Sequence, residues 1–459
     1  MTGRALRRLA AGVLLAVSAS PVPAAQQTPS ADPLTLAEAL ATAGRESPAL
    51  AVERSAVDRA AADRLGSVGA LLPALDATAG FTTTWTRRFT TTGDFGDPAT
   101  REEAVEATTR SSFQGVGLSA ILFDGGERWT DLSVGTARRE AARASLAARW
   151  TEVRAEVARA YVTLVERREV VEVERAILES RRADVKRTEA LFRVAAADRI
   201  DLLGARIEAR RQEALLAGAL EEAAKAELAL GRAMGTGSAA REALLLPVEP
   251  FDPDSLEIEV TVRAALDDHP TIVRDRAELR AAEAEAASEG WLAWLPSLGV
   301  SAGWNRSEFG GPDLPFFELD PRNSSWDVGI SLSLPLFDRF SRRVERARAR
   351  AAVDAADANL QAARLDVETE MRSRLLDLRD AWRRLEIECA AAALARERAE
   401  MAREQHRIGA IDFVRLQEVV DQSTAAERAV VAARHGWYRA VVELERAVGR
   451  GIVLPDPGP

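Results

Sequence analysis

The chain is written twice. Gly117-Leu118-Ser119-Ala120-Ile121-Leu122-Phe123-Asp124 lines up with Ser331-Leu332-Ser333-Leu334-Pro335-Leu336-Phe337-Asp338. Arg193-Val194-Ala195-Ala196-Ala197-Asp198 lines up with Arg407-Ile408-Gly409-Ala410-Ile411-Asp412, and Leu230-Gly231-Arg232-Ala233-Met234-Gly235 with Leu444-Glu445-Arg446-Ala447-Val448-Gly449. All three pairs keep one offset of 214 positions without a gap. Upstream, Leu72-Pro73-Ala74-Leu75 matches Leu295-Pro296-Ser297-Leu298, and Leu34-Thr35-Leu36 matches Val260-Thr261-Val262, at slightly different offsets. Copies this long mark a duplicated domain rather than a short-period solenoid, so one fold must serve both halves. The reading predicts a first structural repeat over 25–235, a linker over 236–259 carrying Pro247, Pro250 and Pro253, a second repeat over 260–449, and a tail over 450–459 whose prolines cannot continue a helix.

After Asp338 small apolar residues fall at Val344, Ala347, Ala351, Ala355, Ala358, Ala362 and Leu365, and the pattern resumes at Met371, Leu375, Leu378, Trp382 and Leu385. The steps alternate between three and four, the period of a helix that supercoils against neighbours. The first copy repeats the stripe at Ser133, Ala137, Ala141, Ala144 and Ala148, then Val157, Tyr161, Leu164 and Val171. A helix from Asp131 to Phe192 would reach roughly 90 Å at ~1.5 Å per residue. Alanine lets backbones approach closely, but so few large apolar side chains cannot bury such a helix alone. Partner helices are implied.

Four stretches switch to period two. Leu75, Ala77, Ala79, Phe81 and Trp85 alternate with Asp76, Thr78, Gly80, Thr82 and Thr84; Val116, Leu118, Ala120 and Leu122 alternate with Gly115, Gly117 and Ser119. In the second copy Leu298, Val300, Ala302 and Trp304 face Gly299, Ser301, Gly303 and Asn305, while Trp326, Val328, Ile330, Leu332 and Leu334 face Asp327, Gly329, Ser331 and Ser333. Runs of this length, apolar on one face and small or polar on the other, suit tilted transmembrane strands. The hairpins are expected at about 75–122 and 298–334, with Thr86 to Ser112 and Asn305 to Ser325 as polar exterior loops. Four strands leave open edges that lipid does not tolerate, so several protomers must pool them. Three would make a 12-stranded barrel wide enough for a pore; two would make eight strands, whose interior fills with side chains.

Arg4, Arg7 and Arg8, the short apolar stretch from Leu9 to Val17 and the small residues Val22-Pro23-Ala24 read as a secretory signal over 1–24. No cysteine follows that expected cleavage site, so no lipid anchor is expected there. Cys389 is the sole cysteine; it permits no internal disulfide and reads as a small packing residue on a helix. The net charge of −10 argues against nucleic acid as a partner. His269, His406 and His435 lack metal-ligand spacing, and no phosphate loop or nucleophile elbow is present, so no enzyme, cofactor or metal is expected. The many carboxylates among arginines read as solvated ion pairs on helical faces.

Helix, strand hairpin, long helix, reversal and returning helix, duplicated behind a signal, resembles the TolC-like outer-membrane efflux family. The resemblance rests on Leu72-Pro73 and Leu295-Pro296 before the odd strands, Leu122-Phe123-Asp124 and Leu336-Phe337-Asp338 after the even ones, Phe123-Asp124-Gly125-Gly126, and Arg407-Ile408-Gly409-Ala410-Ile411-Asp412-Phe413-Val414 at a helix reversal. It implies a homotrimer in the outer membrane that reaches into the periplasm. There a helical tunnel continues the barrel and meets a periplasmic adaptor protein linked to an inner-membrane pump of the RND or ABC type. The implied adaptor-contact tip is Arg193, Ala195, Ala196, Asp198, Arg407, Gly409, Ala410 and Asp412. Asp201 matches an acidic latch position and Glu418 one acidic ring position; Arg415 replaces the other, and His406 and Ile411 replace a tyrosine and an arginine. The expected function is passive conduction of small molecules driven by the pump. The exit duct of a type I protein secretion system and a structural periplasmic coiled coil are the alternatives.

Overall fold

In the computed structural model the described residues are 33–92, 101–194, 198–238, 249–255, 266, 268–288, 295–314, 323–334 and 336–452. The signal (1–24), Ala195, Ala196, much of the linker and the tail's prolines lie outside them. The chain runs α1 (Leu36–Glu46), α2 (Pro48–Gly69), β1 (Ala74–Thr92), β2 (Arg101–Phe123), α3 (Glu127–Arg193) and α4 (Arg199–Met234). The second half gives α5 (Pro270–Ser288), β3 (Ser297–Gly310), β4 (Ser324–Ser333), α6 (Ser341–Arg407) and α7 (Phe413–Val448). The duplication survives to the residue: α3 and α6 each hold 67 residues and α4 and α7 each hold 36. At ~1.5 Å per residue each long helix extends about 100 Å.

Local chemistry explains the boundaries. Thr35 and Glu38 close a capping box on α1, and Pro48 opens α2 at a position where no helical N–H is needed. Asp198 and Asp412 cap α4 and α7, which end at Gly235 and Gly449. The strand-to-helix junctions are built alike. Asp124 accepts from the N–H of Gly126 at 3.1 Å and of Arg128 at 3.3 Å. Asp338 accepts from the N–H of Phe340 at 3.0 Å and of Arg342 at 3.1 Å. Each turn carries two consecutive left-handed residues: Gly125 and Gly126 at φ 75° and 92°, but Arg339 and Phe340 at 55° and 67°. A Cβ in that region costs ~1–2 kcal/mol per residue, so the first copy turns without strain and the second does not.

The strands form one antiparallel sheet in the order β1-β2-β3-β4. They run further than the apolar alternation predicts: β1 pairs with β2 out to Thr92 opposite Arg101, and β3 reaches Gly310. The segments expected as loops at Thr86–Ser112 and Asn305–Ser325 are thus strand over much of their length. Threonine is as good a strand former as valine, but with polar residues on both faces it leaves no alternation to read.

The core is a girdle rather than a layer. Trp150, Tyr161 and Leu164 of α3 meet Leu40 of α1, Leu230 of α4, Met371 and Leu378 of α6 and Trp437 and Val441 of α7. Tyr161 donates its hydroxyl to the Leu34 carbonyl at 3.0 Å, and Phe251 packs edge-on to Trp437 at 5.2 Å. A second, smaller cluster of Ala399, Ala402, Leu416, Val419 and Val420 joins α6 to α7 near the helix reversal.

The two copies use their stripes differently. Ala144, Ala148, Val157, Tyr161, Leu164 and Val171 of α3 are buried, as the period predicts, but Ala137 and Ala141 are half-buried and Ser133 is exposed. In α6, Met371, Leu375, Leu378 and Leu385 are buried, but Ala347, Ala351, Ala355, Ala358, Ala362 and Leu365 face outward. Leu360 and Val367 carry the internal contact there instead. Cys389, expected to pack, is exposed on α6.

Candidate functional site

The helix reversals form one end of the molecule, and their chemistry is local. Asp198 and Asp201 close a reciprocal capping box: the Asp198 carboxylate accepts from the N–H of Arg199, and the Asp198 N–H donates to Asp201 at 3.3 Å. The acid expected as a latch thus turns back onto its own helix end. Across the other reversal Arg407 pairs with Glu404, Gly409 takes φ +75° to turn the chain, and Asp412 accepts from the Arg415 N–H at 2.7 Å. His406 Nδ1 lies 3.1 Å from the Ile411 carbonyl oxygen, with its ring tilted toward Phe413. Arg415 and Glu418 pair with each other one turn apart, so the ring-position carboxylate is held by the arginine that replaces its acidic companion. Exposed Arg193 ends α3, and Ala410 sits in the turn between Gly409 and Asp412. The two reversals approach where the Phe413 ring lies over Gly204, so close that a Cβ at that glycine would meet it at 3.5 Å.

Behind this end, the copies are fastened by an arrangement that sequence reasoning took for solvated charge. Helices α3 and α7 run antiparallel, joined by Arg154 to Glu445, Arg159 to Glu443, Glu166 to Arg439, Glu169 to Arg434 and His435, Glu174 to Arg428, and Arg181 to Asp421. Each pair of residue numbers sums to nearly the same value, as a fixed antiparallel register requires. That register was the readable signal. On α3 the order is two arginines, three glutamates and an arginine; α7 carries the complement. A slip of about two turns would set Arg181 against Arg428 and Glu166 against Glu443, so like charges forbid it.

Burial makes part of this ladder costly to break. Arg154 and Glu445 expose 7% and 4% of their side chains, and Glu445 also accepts from the Ile452 N–H at 2.8 Å. Glu174 ties three helices, taking two bonds from Arg428 at 2.6 and 2.8 Å and one from Gln212 of α4. Burial pushes the Glu174 carboxyl up, but the bonds from Arg428 and Gln212 outweigh it and hold its pKa below 4.5. The His435 ring does the same for Glu169, with Arg434 adding to it. Arg181, itself buried, bridges Gln417 and Asp421 about three turns short of the reversal.

At the opposite end the sheet shows two unlike faces. On one, Leu75, Leu118, Ala302 and Val328 stand in a row across all four strands, and Ala77, Val116, Trp304 and Trp326 form the next. Along β4, Trp326, Val328, Ile330 and Leu332 are 71–81% exposed. Beyond the tryptophans the same face turns to Gln114, Arg306, Glu308 and Arg110, with Arg306 and Glu308 3.8 Å apart. The other face is polar and small: Asp76, Gly117, Gly303 and Asp327 share a row, and the two glycines leave the space that the carboxylates occupy. Strands β1 and β4 each have one unpaired edge within the protomer. Among the described residues no helix is long and apolar enough to cross a membrane.

Two outcomes test the ladder. Arg154→Ala strands Glu445 and is expected to destabilise the fold by ~3–5 kcal/mol, whereas Arg154→Met with Glu445→Leu recovers most of the loss; thermal unfolding in detergent measures both. Because the Glu169 and Glu174 carboxyls titrate below 4.5 when folded, the ladder's contribution is complete above that value and is lost as pH falls through the lowered pKa. Hydrogen exchange along α7 is therefore expected to rise on acidification below about pH 4.5, with a weaker pH dependence in Glu174→Gln.

Known proteins share this architecture. The Campylobacter jejuni CmeC outer membrane channel superposes with a TM-score of 0.72 at 18% identity, over 90% of this chain and 85% of that one. The outer membrane protein VceC from Vibrio cholerae superposes with a TM-score of 0.70 at 18% identity, over 91% and 96%. At such identities the likeness carries the fold. Protein CyaE of Bordetella pertussis (strain Tohama I) is 29% identical over 281 residues, which span 60% of this chain and only 57% of that relative. The family described as Outer membrane efflux protein matches residues 39–236 and 261–450, taking in both copies and most of the chain, and the chain belongs to that family.

Proposed function

We propose that this chain is one third of a passive duct. Three protomers pool their sheets into a 12-stranded barrel in the outer membrane and their helices into a periplasmic tunnel. The observation that carries the reading is the sheet: an exposed apolar face, two unpaired edges, and 100 Å-class helical hairpins attached to the same strands. The outward alanine stripe of α6 supports it, because a wall of several protomers supplies the helix that this stripe lacks. The small, polar sheet face then lines the lumen.

The reversals would meet a periplasmic adaptor through Arg193, Ala195, Ala196, Asp198, Arg407, Gly409, Ala410 and Asp412, with an inner-membrane RND or ABC-type pump supplying the energy. The protomer itself only conducts. With Asp201 engaged in its cap and Glu418 paired to Arg415, the aperture would be less acidic than a bare carboxylate ring and held by weak local contacts. Small molecules are the favoured cargo.

Native mass of protein extracted from outer-membrane fractions in mild detergent is expected to report a trimer. A monomer or dimer soluble without detergent would sink the duct and leave a periplasmic coiled coil. In planar bilayers under a salt gradient, Arg415→Ala is expected to shift the reversal potential toward cation selectivity by freeing Glu418, and Glu418→Gln in that background to cancel the shift. No shift would place Glu418 away from the conducting path.

A further inference from the structure

The junction between β4 and α6 departs from its counterpart in a way that the duct itself does not require. The first copy turns on Gly125 and Gly126, whereas the second holds Arg339 and Phe340 in the same left-handed conformation against steric preference. Phe337 packs edge-on against the strained ring at 5.9 Å; Phe337 is 73% exposed, Phe340 62% and neighbouring Leu336 86%. Strain that places large apolar side chains in the open calls for something outside the protomer to receive them.

We propose that Leu336, Phe337, Arg339, Phe340 and Arg343 form a lipid anchor that seats in the periplasmic leaflet of the outer membrane and takes the phosphate of an anionic phospholipid. The proposal rests on the reading of the sheet as lipid-facing. Three observations fix the occupant. First, the exposed apolar face of β4, Trp326, Val328, Ile330 and Leu332, continues past the end of the strand into exposed Leu334, Leu336 and the two phenylalanines. On β3 the same face ends at the Arg306–Glu308 pair, whereas toward the β4–α6 junction it stays apolar. Secondly, positions 338–350 hold six arginines against Asp338 and Glu345, in a chain whose net charge is −10. Positions 124–136 of the first copy hold one arginine against Asp124, Glu127 and Asp131. Thirdly, Arg339 and Arg343 are exposed and make no side-chain ion pair among the described residues. Aromatic rings beside arginines match the headgroup level, where rings enter the acyl boundary and guanidinium groups meet phosphate in a fork.

The single cysteine makes the test direct. In the full chain carrying Cys389→Ala, nitroxide labels are placed one at a time through W326C, F340C and R384C, and the protein is reconstituted in phosphatidylethanolamine–phosphatidylglycerol vesicles. Collision with oxygen, which enters lipid, is compared with collision with a water-soluble nickel chelate. The label at 326 is expected deep, that at 384 in water, and that at 340 at headgroup depth. A deep label at 326 with 340 in water, or shielded from both reagents by a neighbouring protomer, overturns the anchor and leaves the barrel intact. Water exposure at both overturns the lipid-facing sheet and the anchor with it. A second measurement avoids any folding defect. The R339G/F340G variant relaxes the turn, so it is expected to unfold at a higher temperature while binding phosphatidylglycerol about fivefold more weakly, the effect of one surface arginine. Unchanged binding would overturn the proposal.

Discussion

Hydrocarbon offers no hydrogen bonds, and this one deficit governs the molecule. A sheet of four strands leaves the outer N–H and C=O groups of β1 and β4 unmatched, at several kcal/mol for each group held in lipid. The protomer cannot resolve this alone. In the proposed assembly its edges pair with other copies, and copies arranged around an axis need walls that also meet side by side. The long helices would answer that demand. Where α3 buries Ala144 and Ala148 inside the protomer, α6 turns the equivalent Ala358 and Ala362 outward. Duplication thus supplied two equal hairpins, and divergence made one look inward and the other outward.

The parts legible in the sequence are those where one physical rule acts alone. Period two marked the strands where one side is apolar, at Leu75–Phe81 and Trp326–Leu332. It failed from Thr86 outward, where both faces are polar and the strand no longer differs from a loop. The three-four stripe located Met371, Leu375, Leu378 and Leu385, but could not say that Ala347 to Leu365 lie exposed on the protomer, because periodicity marks an apolar face without naming what covers it. Cys389 was misplaced for the same reason. The ion-pair ladder was hidden differently: arginine and glutamate on a helix look alike whether wet or enclosed. Only setting 154 to 181 against 421 to 445 in reverse order separates them. Likewise, aligning the copies puts Gly125-Gly126 opposite Arg339-Phe340, and that mismatch alone signals the strained turn.

The tip residues show the limit of carrying a motif across positions. Asp201 keeps the expected residue type, yet its carboxylate serves the Asp198 N–H, a bond that any helix start of this kind makes. Glu418 likewise keeps its charge but spends it on Arg415. Residue identity survives at both positions while the geometry assigns them to helix ends and surface pairs. Where the two copies hold each other most firmly is further back, at Arg154, Glu174 and Arg181, positions picked out by no motif.

That placement has a mechanical consequence. Breaking a buried pair such as Arg154 with Glu445 leaves an uncompensated charge, at ~3–5 kcal/mol, whereas exposed pairs of the Arg415–Glu418 kind are worth less than about 1 kcal/mol. Resistance to separating the hairpins is therefore high from the girdle to Arg181 and low beyond it. In the last three turns the α6–α7 hairpin is held to itself by Ala399, Ala402, Leu416 and Val419, and approaches α4 where the Phe413 ring faces Gly204. In the proposed duct the more weakly fastened part is then the end at which cargo would be received, because the charge ladder stops before reaching it.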